Sequence, residues 1–175
     1  MYVKQGEKIG IIGPSGSGKT SLFRMISGSI DCSQGVISTT EKTRMIYQIP
    51  QFHPFLTSKE ILELEFSKIN QKKSVNDILK SVKMIEIRNQ LFTHLSGGEK
   101  QRLAILLAIV SGARIILADE PFGRLDKKNT IIVKTFLMNQ VEKEGITLIL
   151  ATHNKKHLKE MDKIYQIKKK KLLIY

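Results

Sequence analysis

A chain of 175 residues is long enough for one domain with a proper hydrophobic core and too short for two comfortable ones, and an apolar content of 41% excludes a disordered chain. Aromatics at 6%, no Trp and a single Cys leave a core of Ile, Leu and Val and exclude an intrachain disulfide or a cysteine-rich metal site. The net charge of +13 would suit an anionic partner, but the charges are mostly lysines spread along a Lys- and Ile-heavy chain, so no nucleic acid is expected as a partner.

The first element is "EKIGII", a short apolar run that stops at Gly13 and reads as a buried strand. "GPSGSGKT" follows, and then "KTSLFRMIS", whose Leu22, Phe23 and Ile26 share one helical face ahead of Gly28. "GVISTTEKTRMIYQ" from Gly35 to Gln48 predicts two strands or a hairpin. Pro50 and Pro54 then break the chain, Thr57 with Glu60 forms a capping box before "ILELEFSKI", and Ser74 precedes a second amphipathic stretch, "VNDILKSVKMI".

"LSGGEKQRLAILLA" begins at Leu95, where Ser96 and Glu99 make another capping box for a helix reaching about Ser111. The apolar run of that helix, Leu103 to Val110, is far below the roughly 18 residues of a membrane span. "RIILADE" is a buried strand, "KNTIIVKTFLMNQVEKE" a helix, "ITLILATH" a strand and "NKKHLKEM" a short helix. The tail "KIYQIKKKKLLIY" predicts a hairpin turning at Lys168 to Lys171. Strands alternating with helices imply an α/β fold with a mostly parallel sheet covered on both faces. The expected division is one domain over 1–175, with a core at about 1–49 and 114–175 and an inserted helical subdomain at about 50–113, closed by a C-terminal β-hairpin.

Gly13, Gly18, Lys19 and Thr20 fit G-x-x-x-x-G-K-[ST] between a strand and a helix, the pattern of a P-loop. Glycines at 13, 16 and 18 let the backbone wrap closely, so that the stretch Gly13, Pro14, Ser15, Gly16, Ser17, Gly18, Lys19, Thr20 and Ser21 is expected to surround a nucleotide phosphate and point successive N–H groups into one small volume. Lys19 places a charge on the β and γ phosphates, and the Thr20 hydroxyl ligates Mg²⁺. "RIILADEP" delivers a second metal-holding carboxylate, Asp119, to the edge of the sheet where ligands bind, and the adjacent Glu120 is the natural general base. A GTPase is excluded because "NKKH" at Asn154 to His157 lacks the carboxylate that would read guanine; a small-molecule kinase would leave the Leu95 motif unexplained.

"GPSGSGKT", "LSGGEKQR", "ILADEP", "LD" at Leu125-Asp126 and "ATH" ending at His153 stand in the order found in ATP-binding cassette (ABC) ATPases, and essentially the whole chain resembles that family. The resemblance implies a P-loop NTPase fold that binds ATP and Mg²⁺ and hydrolyses ATP. It implies that Lys19 and Thr20 are the Walker A pair, Asp119 the magnesium-linked acid and Glu120 the base. Gln48 matches the glutamine that reaches Mg²⁺ and the attacking water, with Gln51 the weaker candidate; Asp126 matches the D-loop acid and His153 the switch histidine on the γ phosphate. His53, His94 and His157 carry no such match. In this family two cassettes pack head to tail, so Ser96, Gly97 and Gly98 would contact ATP held by a second copy of the chain or a homologous cassette.

Family members usually place an adenine-stacking aromatic about a strand earlier; Tyr2, eleven residues before Gly13, is too close, and the expectation is that the chain starts after that region. Phe122 stands where many members carry Thr, and Asn154 where Asp is frequent. The resemblance implies a cytoplasmic ATPase subunit, peripheral on the inner face of the cell membrane, that drives a transmembrane permease subunit. "LADEP" in a lone small cassette resembles the branch exporting lipoproteins, macrolides or bacteriocin-like peptides, while "DEPFG" also occurs in importers. The alternatives are a soluble non-transport ABC ATPase and a truncated cassette that binds nucleotide with little turnover.

Overall fold

Five parallel strands and one antiparallel partner form a single sheet in the computed structural model, which describes residues 1–69, 74–168 and 171–175. In chain order the elements are β1 (Lys8–Ile12), α1 (Lys19–Ile26), β2 (Thr43–Ile46), α2 (Ser58–Ile69), α3 (Val75–Ser81), α4 (Gly97–Val110), β3 (Ile115–Asp119), α5 (Lys127–Glu144), β4 (Thr147–Thr152), β5 (Lys163–Lys168) and β6 (Lys171–Ile174). Short 3₁₀ turns lie at Ile85–Ile87, Phe92–His94 and Lys155–Leu158. The strand order is β2-β3-β4-β1-β5-β6, and only β6 runs antiparallel, to β5.

The register fixes one functional edge. Ile12 lies across from Thr152 on one side and Gln166 on the other, Asp119 from Ala151, and Ile46 from Ala118. The carboxyl ends of β1 to β5 are therefore level, and the loops that follow them are neighbours.

Both faces of the sheet are covered, as the near-continuous apolar strands require. Ile116, Leu148 and Leu150 pack against Val133, Leu137, Met138 and Val141 of α5, while Ile9, Ile11 and Ile149 pack against Phe23 of α1. A third cluster is helical and joins Leu62, Leu79, Val82 and Met84 to Leu103, Leu106 and Leu107. α4 belongs to two clusters, because Ala104, Ile105 and Ala108 face the sheet while Leu103, Leu106 and Leu107 face the inserted helices. Among the described residues no helix is long and apolar enough to cross a membrane.

The helix starts follow the sequence closely. Glu60 accepts from the Thr57 backbone and hydroxyl at 2.8 Å each, and its own N–H donates to Thr57 Oγ1 at 3.2 Å. Ser74 caps α3 through the Asp77 N–H. Two local expectations are corrected. Between Gly35 and Gln48 only Thr43–Ile46 forms a strand; Val36 is 92% exposed, and among the described residues the β-branched side chains there have no partner strand to hold them. "NKKHLKEM" makes a single 3₁₀ turn in place of a short α-helix. β5 and β6 pair as the predicted hairpin, with Lys168 across from Lys171, while the predicted turn includes Lys169 and Lys170, which lie outside the described residues.

Because α4 is shared between the sheet and the inserted helices, truncating it should weaken the whole chain. Leu106→Ala, at a fully buried position, is expected to cost about 2–5 kcal/mol. Urea unfolding followed by circular dichroism and tyrosine fluorescence should show one shifted transition, whereas two separated midpoints would mean that the inserted helices unfold on their own.

Candidate functional site

The loop Gly13–Gly18 leaves β1 at the centre of the sheet and turns into α1. Gly16 and Gly18 have φ of 76° and 102°, values that L side chains rarely adopt. At Gly13 the constraint is steric, since a Cβ there would stand 2.6 Å from Ser17 Oγ. α1 begins with no side-chain cap and no acid in its first turn, so its leading N–H groups keep their partial positive charge for an external anion. Lys19 is buried, and its Nζ donates to Gly13 O at 2.8 Å and Pro14 O at 3.0 Å, which holds the ammonium against the loop.

β3 delivers the acids. Thr20 Oγ1 donates to Asp119 Oδ2 at 2.5 Å, so the first turn of α1 and the end of β3 meet side chain to side chain. Asp119 is buried, and that burial pushes its carboxyl above the ordinary value; the Thr20 hydrogen bond offsets part of the rise and the neighbouring Glu120 adds to it.

Glu120 follows at φ 46°, a strained conformation for a non-glycine residue, held by the bond from its N–H to Ala151 O at 2.9 Å and by the Gly123 N–H bond back to Glu120 O. Its carboxylate accepts from Thr152 Oγ1 at 2.9 Å and from the His153 N–H at 2.8 Å, and lies 2.7 Å from His153 Nδ1. The Glu120 side chain is mostly buried and that of His153 mostly exposed. The ends of β3 and β4 thus combine a carboxylate suited to accepting a proton with an imidazole that faces solvent.

Gln48 lies two residues beyond β2, exposed, on the same edge as Asp119. Among the described residues no hydrogen bond ties it to Thr20, Asp119 or Glu120. Gln51 faces a different place, a cleft of about 350 Å³ lined also by Arg44, Tyr47, Pro50 and Phe52.

The Leu95 motif is built separately. Ser96 accepts from the Glu99 N–H at 3.3 Å while Glu99 accepts from the Ser96 N–H at 2.7 Å, completing the capping box at the start of α4. Gly97 and Gly98 pack against Arg124 and Leu125, which follow the Glu120 turn. Among the described residues no hydrogen bond joins Ser96, Gly97 or Gly98 to the loop from Gly13 to Ser21. Asp126 caps α5, accepting from Asn129 N at 2.8 Å and Asn129 Nδ2 at 2.6 Å, and those bonds hold its carboxyl below the usual range.

Sequence reasoning passed over three side chains that connect these parts. Gln101, fully buried, donates from Nε2 to Tyr47 O at 3.3 Å and so ties α4 to the loop of Gln48. Arg102 Nη1 donates to Val82 O, Lys83 O and Asn129 Oδ1 at 3.2–3.3 Å, joining the inserted helices to the cap of α5. Thr152 hydrogen-bonds Glu120 as above. Gln101 and Arg102 stand in the "GGEKQR" stretch directly before the apolar run from Leu103 to Val110, and that position on a helix with a long apolar run is the signal the sequence offers.

A family model described as "ABC transporter" matches residues 1–123. The lipoprotein-releasing system ATP-binding protein LolD of Francisella tularensis subsp. holarctica (strain OSU18) is 33% identical over 190 residues, covering 95% of this chain and 82% of that protein. The lacticin-481/lactococcin-DR transport/processing ATP-binding protein of Lactococcus lactis subsp. lactis is 33% identical over 187 residues, covering 98% of this chain and 27% of that one. Among solved structures, the dimeric post-hydrolysis state of the ATP-binding cassette MJ0796 bound to ADP and Pi matches with a TM-score of 0.88 at 26% identity, over 98% of this chain and 85% of that chain.

The burial of Asp119 carries a stability cost that can be measured. The folded chain holds this proton more tightly than the unfolded chain, so stability falls as pH rises from the ordinary aspartate value near 3.9 through the raised folded value, and the penalty persists above it. Asp119→Asn keeps an acceptor for Thr20 and removes the charge. Its nucleotide-free melting temperature at neutral pH should exceed that of the parent, by about 2–4 °C for each kcal/mol relieved; a lower melting temperature in differential scanning calorimetry would contradict the desolvation argument.

Proposed function

The chain belongs to the ABC transporter family as an ATP-binding ATPase domain, and from that premise we propose that it is the ATP-hydrolysing subunit of a transporter, dimerising head to tail and driving a separate membrane permease. The observation that carries the reading is the meeting, on one sheet edge, of the glycine-shaped loop, the Thr20–Asp119 bond and the Glu120–His153 pair. We take residues 1–175 as one nucleotide-binding domain with its helical subdomain at about 50–113, between core segments at about 1–49 and 114–175.

In this reading the N–H groups from Gly16 to Ser21 and the Lys19 ammonium bind the ATP phosphates. Thr20, Asp119 and Gln48 would hold magnesium, which when bound neutralises charge developing on the phosphate oxygens. The Thr20 hydroxyl and the Asp119 carboxylate, 2.5 Å apart beside the loop, are oxygen donors of the kind magnesium takes.

Glu120 takes the proton from the attacking water. A carboxylate offers about four acceptor positions, and the groups of Thr152 and His153 that meet it use three, leaving one for that water. His153 contacts the γ phosphate from the exposed side. Gly97 and Gly98, with no hydrogen bond to their own loop among the described residues, present amides and a helix N-terminus to the nucleotide of the partner, beside the Asp126 turn, with Ser96 held next to them by the capping box.

The names of the relatives support transport, and export of lipoprotein- or bacteriocin-like cargo is the direction they favour. The permease would dock at the cleft of Arg44, Tyr47 and Phe52, with Ile49 and Phe55 exposed on the same stretch of chain, placing the subunit on the cytoplasmic face of the membrane. The bond from Gln101 to Tyr47 O joins that cleft to α4 and hence to the partner-facing motif.

Three variants test the proposal together. Lys19→Ala should lose ATP binding in calorimetry. Glu120→Gln should retain binding while turnover falls by roughly 10²–10⁴-fold, and with ATP and Mg²⁺ it should accumulate as a dimer by light scattering after size exclusion. Adding Gly97→Asp should return it to monomer: a Cβ there meets only the flexible end of Arg124, so the substitution adds a carboxylate to the partner-facing surface without disturbing α4. A double variant that stays fully dimeric would overturn the split site.

A further inference from the structure

Behind Glu120 runs a line of polar contacts for which the proposed mechanism has no use. The Asn154 N–H donates to Thr152 Oγ1 at 3.1 Å, and a backbone N–H can only donate. The single hydroxyl hydrogen of Thr152 is therefore left for Glu120 Oε2, 2.9 Å away. Asn154 is fixed in turn, because its Oδ1 accepts from the Lys156 N–H at 3.1 Å as the cap of the 3₁₀ turn. That orientation points Nδ2 as a donor at His157 Nε2, 3.3 Å away. His157 must accept there, so its ring is neutral with the hydrogen on Nδ1; burial first, and then the Lys134 charge, lower its affinity for a second proton.

The same ring touches the other half of the site. It lies edge-to-face on Phe122, with centroids 5.1 Å apart and planes at 73°, and Phe122 is buried in the turn that sets the positive φ of Glu120. One imidazole thus braces both the loop that carries Glu120 and the hydroxyl that holds its carboxylate. We propose that His157 is a positioning residue for Glu120, acting through Asn154 and Thr152 on the carboxylate and through Phe122 on its turn. The proposal rests on Glu120 being the base and adds two positions, Asn154 and His157, that set how well it works.

The test is a double-mutant cycle on steady-state ATPase activity. His157→Phe keeps a ring against Phe122 and removes the acceptor, and Asn154→Ala breaks the same line while leaving the ring contact. Each should lower kcat on the order of 10-fold, short of the roughly 10²-fold that a 1 Å misplacement of reacting groups costs, with KM and the binding of a fluorescent ATP analogue unchanged. His157→Gln restores an acceptor and should recover part of the lost kcat. In the Glu120→Gln background neither His157→Phe nor Asn154→Ala should reduce the residual turnover further, because the group they position is gone. Loss of the same factor in both backgrounds, or an unchanged kcat in both single variants, would overturn the proposal. Full turnover in Glu120→Gln alone would overturn the reading of the base, a separately recognisable result.

Discussion

Parallel pairing of β4 with both β3 and β1 sets the height at which every polar side chain of the site arrives. With Asp119 across from Ala151 and Ile12 across from Thr152, a slip of one residue in either ladder would turn the strands' buried side chains to the opposite face and carry the acids away from the loop. The apolar runs of these strands, packed on both faces, oppose that slip. The chemistry at the edge therefore depends on packing some distance below it. The ladder also extends one bond past β3, from the Glu120 N–H to Ala151 O, and this last bond holds the chain where Glu120 must bend back.

That bend illustrates a second constraint, which is that the site is assembled from groups the fold would otherwise avoid. A buried aspartate, a glutamate at positive φ and a buried lysine stand within a few residues of one another in space or sequence. Each is tolerated because a specific partner is supplied: Thr20 for Asp119, the end of β4 for Glu120, and two loop carbonyls for Lys19. The partners are short-range and directional, so Asp119, Glu120 and Lys19 are held in place, while Gln48 is exposed and has no hydrogen bond to Thr20, Asp119 or Glu120 among the described residues.

Much of this was legible in the sequence because the relevant signals are local. A strand that stops at Gly13, two capping boxes and an apolar run ending in Asp119-Glu120 each report on a few consecutive residues, and the structure has the corresponding elements. Non-local relations were not legible. Gly35 to Lys42 carries β-branched residues, yet whether they form a strand depends on a neighbour that the sheet does not provide. Asp126 reads as a family acid, while its observed bonds are those of a helix cap. Arg102 reaches three acceptors spread over nearly fifty residues of sequence, and no spacing rule announces such a set. His157 looked like an unsupported histidine because its partners, Asn154 and Phe122, gain meaning only when β3 and β4 lie side by side.

The two-sided burial of α4 bears on how such a chain can drift. A residue such as Ile131 on α5 is 67% exposed, and a change of volume there can be absorbed by a shift toward solvent. A residue in the middle of α4 has no such direction to move in, since Ile105 presses on the sheet cluster and Leu106 on the inserted helices one position later. Any accepted exchange must suit two unrelated surroundings, or be matched by a second exchange on the far side. In a saturation library, α4 should therefore retain its side-chain volumes more strictly than any other helix, and divergence between cassettes of this kind should collect on α2, α3 and the outer face of α5.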